Sequence, residues 1–139
     1  MTPEKLYREL SALADQSGAV SLMDASLRLT VPGYMPLTIE TIGEHEINGA
    51  HAVEISMSHY YLQNGDVVPD PDMTFFIFPD NRRALAASIQ HNTGHYVRAR
   101  KVENGRLLQN TKAAADLQRF AGQWLRNLRA QGFFEAGAA

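Results

Sequence analysis

The chain contains no cysteine among its 139 residues, which excludes disulfides, thiolate nucleophiles and zinc sites built on sulfur. No apolar run approaches the roughly 18 residues that a membrane-spanning helix needs. The opening stretch MTPEKLYREL carries charges early and lacks a continuous apolar segment, so it does not read as a secretory signal. These absences lead to the expectation of a cytoplasmic protein without membrane association. Basic residues are scarce early in the chain: residues 1–80 hold twelve acids and three bases, residues 81–139 three acids and ten bases. The halves could offer surfaces of opposite sign, but the plainer reading is that they pack together with their charges side by side. An overall pI near 6.2 argues against a dedicated nucleic-acid binder.

What is present suits one hydrophobic core. Apolar residues make up 45% of the chain and the length is that of one ordinary domain, so residues 1–139 are expected to form a single α+β domain. Thr2-Pro3-Glu4 has the form of a helix start, and Leu6, Leu10, Leu13 and Ala14 follow on one face, with Gly18 as the expected stop. Residues 26–31 and 37–42 alternate as strands do, and 43–49 reads as a polar turn. Val53, Ile55, Met57, His59 and Tyr61 fall on one side of the next strand. Asn64-Gly65 is a strong turn dipeptide, but Pro69 and Pro71 cannot donate to a ladder, so 64–72 is expected to be an extended acidic loop.

Residues 73–78 are large on both faces and predict a covered, central strand. Residues 83–91 are Ala-rich and compatible with a helix, yet Leu85, Ala87 and Ile89 alternate, and a strand is preferred. Residues 95–102 and 106–109 flank Asn104-Gly105 as a further hairpin. The last helix is the firmest element, with Leu117, Phe120, Ala121, Trp124, Leu125 and Leu128 on one stripe, Asn110 or Thr111 to cap it and Gly132 to end it. Both Phe120 and Trp124 are expected in the core. The expected architecture is an antiparallel sheet of about five to seven strands flanked by an N-terminal and a long C-terminal helix.

Candidate site residues cluster in two places. Asp66, Asp70 and Asp72, with Asn64, supply oxygen ligands that suit a hard cation, but their spacing departs from the calcium-loop pattern and Asp also serves turns. Together with His59, Tyr60 and Tyr61 they make a candidate binding surface. Ser58, His59 and Asp66 are the residue types of a hydrolytic triad without the surrounding nucleophile elbow, so no catalytic residue is assigned. His91 and His95 are four apart, with Asn-Thr-Gly between them and no third ligand nearby, so no metal and no cofactor is assigned. Arg98, Arg100, Lys101 and Arg106 gather on the last hairpin and are the candidate nucleic-acid contacts.

The strings SHYYLQNGDVVPDPDM (58–73) and FAGQWLRNLRAQGF (120–133) resemble a small family of uncharacterised domains carried on bacterial plasmids and other mobile elements. The carrying patterns are H-Y-Y-x-Q-N-G-D followed by D-P-x-M, and N-L-x-A-Q-G-F. The resemblance implies bacterial origin and a shared fold. It implies no activity, and no catalytic residue carries over from it. The leading expectation is a non-enzymatic binding or accessory module acting through protein–protein contacts. Two alternatives stand beside it: a nucleic-acid-binding accessory protein using the basic half, and a small enzyme or metal-binding domain using His59 and the loop aspartates.

Overall fold

The computed structural model describes residues 1–16 and 21–136. Helix α1 (Pro3–Asp15) leads through a short 3-10 turn into strands β1 (Ser26–Leu29), β2 (Leu37–Ile47), β3 (Ala50–Gln63), β4 (Asp66–Phe78), β5 (Arg83–Gln90), β6 (Tyr96–Arg98), β7 (Arg100–Glu103) and β8 (Arg106–Gln109), then helix α2 (Thr111–Gln131). Strands β1 to β6 form one antiparallel sheet in sequence order, and β7 pairs with β8 in a separate hairpin. This is the α+β architecture the sequence predicts. The Gly18 stop falls outside the described residues.

Helix α1 starts where Thr2 accepts from the Lys5 backbone N–H, with Pro3 at the first helical position. Its Leu6, Leu10 and Leu13 are fully buried. Helix α2 is capped by Asn110 and ends at Gly132, whose φ of 95° only a glycine holds without strain. Both helices pack on β5. That strand is buried from Ala84 to Ile89, and its small side chains Ala84 and Ala86 admit the helices closely. Trp124, Leu125, Leu128 and Phe133 complete this core with Val53, Ile55, Met57, Met73, Phe75 and Ile77 from the sheet.

On the opposite face the β7–β8 hairpin covers only one end of the sheet. Val102 and Leu107 pack there against a smaller cluster of Ile47, Ala52, Phe76, Phe78, Leu85 and Ala87. The hairpin's turn is tied to the β2–β3 turn, where Asn48 N–H donates to Gly105 O at 2.7 Å. Helical Arg129 pairs with Glu9, and Arg83 with Glu4 at 3.5 Å, so charges of the two sequence halves do meet side by side.

Three sequence expectations are corrected. Residues 64–72 are not an extended loop: Asn64 and Gly65 form a two-residue turn, both at positive φ, and β4 begins at Asp66. Pro69 and Pro71 are tolerated because that part of β4 has no β5 neighbour, since pairing with β5 starts at Asp72. Asp70 and Pro71, joined by a cis peptide, together oppose the single residue His59 in a bulge. The predicted polar turn at 43–49 is the continuation of β2. Ile42 bulges out, Gly43 resumes pairing opposite Glu54, and only Asn48-Gly49 turns. Cross-strand pairing here outweighs polar composition. Finally, Phe120 lies on the outer side of α2, 37% exposed, while Trp124 is buried as expected.

Candidate functional site

The face of the sheet away from the helices is organised by register. One cross-strand row runs Arg28, Thr38, Ser58, Asp72, Gln90 and Tyr96 across all six strands. The next runs Ser26, Glu40, Ser56, Thr74, Ser88 and Arg98. Neither row contains an aliphatic residue. Because alternate residues of a strand share a face, this polar surface follows from the same alternation that buries Val53, Ile55 and Met57 behind it.

Side chains within the rows are mutually bound. Asp72 is held at both oxygens: Ser56 Oγ donates to Oδ1 at 2.9 Å and the Tyr60 hydroxyl donates to Oδ2 at 2.8 Å. Thr74 and Ser88 share a hydrogen bond between their hydroxyls. At the covered end His45 Nε2 meets Glu54 Oε1 at 3.0 Å and its ring lies edge-on to Phe76. Burial pushes the Tyr60 hydroxyl above its ordinary pKa, assisted by the Asp72 and Glu40 carboxylates and opposed by a hydrogen bond with Ser58. Tyr60 is thus a protonated donor at neutral pH, suited to holding Asp72 in place.

Beyond these rows β3 and β4 continue as a two-stranded arm. Leu62 pairs directly with Val67, and both are largely exposed, at 73% and 65%. Loop 30–36, the arm's tip and the β5–β6 turn all lie at the same end of the sheet, as antiparallel order requires. Tyr34, Tyr60 and Tyr96 are also exposed at that end. The other end carries the turns at 48–49, 79–82 and 104–105.

Of the candidate residues, the fold brings Tyr60 and Asp72 together. Asn64 and Asp66 sit at the arm's exposed tip, and Asp70 is half-buried in the bulge. Alternation turns Tyr61 to the other side of the arm, where it is half-buried. His59 lies in the helix-side core: its ring contacts Trp124 and Phe133, and Nδ1–H donates to Pro36 O at 3.1 Å. It does not converge with the aspartates. Among the described residues no three His, Asp or Glu side chains are gathered to hold a metal.

The basic group is divided. Arg100 is buried, and its Nη1 donates to Ala86 O at 2.8 Å and to Gln118 Oε1 at 3.1 Å. Burial, with Arg83 nearby, lowers its pKa. Arg98 donates to the Tyr96 hydroxyl at 2.9 Å, Lys101 pairs with Glu103 at 3.4 Å, and Arg106 is exposed beside its turn.

Sequence reading missed Leu62 and Val67, the hydroxyl rows and Gln118. The first pair was findable: accepting Asn64-Gly65 as a two-residue turn sets Leu62 opposite Val67 at once.

No helix among the described residues is long and apolar enough to cross a membrane. No curated protein and no solved structure matches the chain. A family model does match, over residues 6–134, and its description is Domain of unknown function (DUF6908). Since the match spans both helices' cores and the whole sheet, the chain belongs to that family of domains of unknown function.

Proposed function

We propose that the protein is a non-enzymatic binding module that acts through protein–protein contacts made by the end of the sheet bearing the β3–β4 arm. The carrying observation is the exposed Leu62–Val67 pair on that arm, continuous with Tyr60 and flanked by Asp66, Asp70 and Asp72. Apolar and aromatic side chains displayed together and rimmed by polar groups characterise contact surfaces. The Ser56–Asp72–Tyr60 hydrogen bonds fix the base of the arm, which lowers the ordering cost of an encounter. Residues 1–139 act as one domain in this reading. In keeping with the resemblance of 58–73 and 120–133, the setting is the cytoplasm of a bacterium and the module an accessory of a mobile element.

Replacing Leu62 and Val67 together by Ser tests the reading. The double variant should keep the wild-type melting temperature and lose the partner captured by the wild-type protein. Capture of the same partner in undiminished amount by the variant would contradict it.

A second reading, nucleic-acid binding, draws support from the groove of about 390 Å³ lined by Arg98, Arg100, Lys101 and Gln109. It is the weaker one because Arg100 is spent on internal acceptors. It requires binding that falls steeply with salt and with Lys101→Ala and Arg106→Ala.

A further inference from the structure

Between the β5–β6 turn and the first half of α2 lies a cleft of about 450 Å³, lined by Ile89, Val97, Leu117, Phe120 and the rings of His91 and His95. We propose that this cleft binds a small apolar carboxylate, presented either by a free acid or by the C-terminal residue of a peptide. The site is separate from the arm, so variants of Leu62 and Val67 leave it intact.

Its volume falls within the range of small-molecule sites, and its walls are mostly apolar, as such sites are. Ile89 and Val97 are cross-strand partners facing the helix side, so the floor is a continuation of the core. Phe120, which the apolar pattern assigned to the core and the fold leaves partly exposed, gains a role as the outer wall, with His91 edge-on to it at 6.0 Å.

The polar groups are the two imidazoles. They stack at 6.4 Å with their planes 23° apart. The hydrogen bonds of this turn run from His91 N–H to His95 O, from Gly94 N–H to His91 O and from His95 N–H to Thr93 Oγ1, and none of them uses an imidazole. Among the described residues the contacts of both rings are ring contacts, and each imidazole carries an N–H donor. A carboxylate accepts from both rings, and its apolar body fills the space against Ile89, Leu117 and Phe120. Asp116, the one acid on the wall among the described residues, is already paired with Arg119.

The test uses phenylacetate, with phenylacetamide and phenethylamine as matched neutral and cationic probes, followed on the intact protein by the side-chain NMR resonances of His91 and His95. Saturable shifts of both rings by millimolar phenylacetate, absent with the amide and the amine, are expected. His91→Asn and His95→Asn should each weaken binding about tenfold, the scale of one hydrogen bond to a charged group. Phe120→Ala should weaken it as well, and Arg126→Ala, outside the cleft, should leave it unchanged. A short peptide ending in Phe, with a free or an amidated C-terminus, separates the two sources: tighter binding of the free-carboxylate peptide than of phenylacetate assigns the site to peptide ends, and the reverse order to free acids. Absence of saturable shifts, or equal shifts from acid and amide, overturns the proposal.

Discussion

The carboxamide of Gln118 takes the place that a neighbouring strand would occupy along the outer edge of β5. Its Nε2 donates to Ala84 O at 3.2 Å, and its Oε1 accepts from Ala86 N–H at 3.1 Å. Strand β6 pairs only with residues 88–90, so without Gln118 and Arg100 these backbone groups would be buried and unpaired. Gln118→Leu keeps the bulk and removes these two bonds and the one accepted from Arg100, and should cost at least about 1–3 kcal/mol in chemical denaturation. A loss below about 0.5 kcal/mol would show that the edge finds other partners. Tyr60 offers a second residue-scale test. Its pKa is raised above the ordinary 10.0, so the folded state holds this proton more tightly than the unfolded chain does. That contribution is complete below pH about 10 and is lost as pH rises through the higher folded value. Tyr60→Phe lacks the titration. The gap in melting temperature between variant and wild type should be constant near neutrality and narrow above pH about 10. A gap that stays constant into strong alkali would contradict the protected hydroxyl.

Helix α2 shows how one stripe divides between core and surface. Trp124 packs against His59 and the main core, so Trp124→Ala should cost about 3–5 kcal/mol, whereas the partly exposed Phe120→Ala should cost clearly less. Equal losses in thermal or urea melts would contradict this division. The helix itself was legible because its period, its Asn110 cap and its Gly132 stop all agree. The stripe is wider than the surface it faces, and which flank stays wet depends on where the β5–β6 turn ends. The 3.6 period alone carries no such information. The strands were legible where alternation was clean, at Val53 to Met57, and where large residues fill both faces, at Met73 to Phe78. They were misread at residues 43–47 and 66–71, where polar residues and prolines mark bulges and an unpaired strand segment instead of chain breaks. Gln118 could not be found by pattern, because its role depends on β6 being shorter than β5. Tyr60 and Asp72 were identified as residues, but their hydrogen bond rests on register across the Asp70–Pro71 bulge.

At the scale of the molecule, the main core joins α1, the sheet and the length of α2 from Ala114 to Leu128, residues drawn from both sequence halves. Proposed as one domain, the chain should unfold in a single transition, with Trp124 fluorescence and far-ultraviolet circular dichroism tracing coincident curves. Separated curves would divide it. The pairing of Glu4 with Arg83 and of Glu9 with Arg129 accounts for part of the charge asymmetry without invoking a polar partner. Of the large apolar side chains the packing leaves exposed, Tyr34, Tyr60, Leu62, Val67 and Tyr96 gather at one end of the sheet, while Ile42, Leu108 and Phe120 are exposed as well. Site-specific photo-crosslinking in the cells that produce the protein tests that display most directly, with the reactive group placed at position 62 or 67 and, as controls, at positions 119 and 126 on the outer side of α2. The account predicts a discrete, nuclease-resistant protein adduct from 62 and 67 and none from the controls. Adducts from α2 alone, equal yields from every position, or adducts that disappear on nuclease treatment would contradict it.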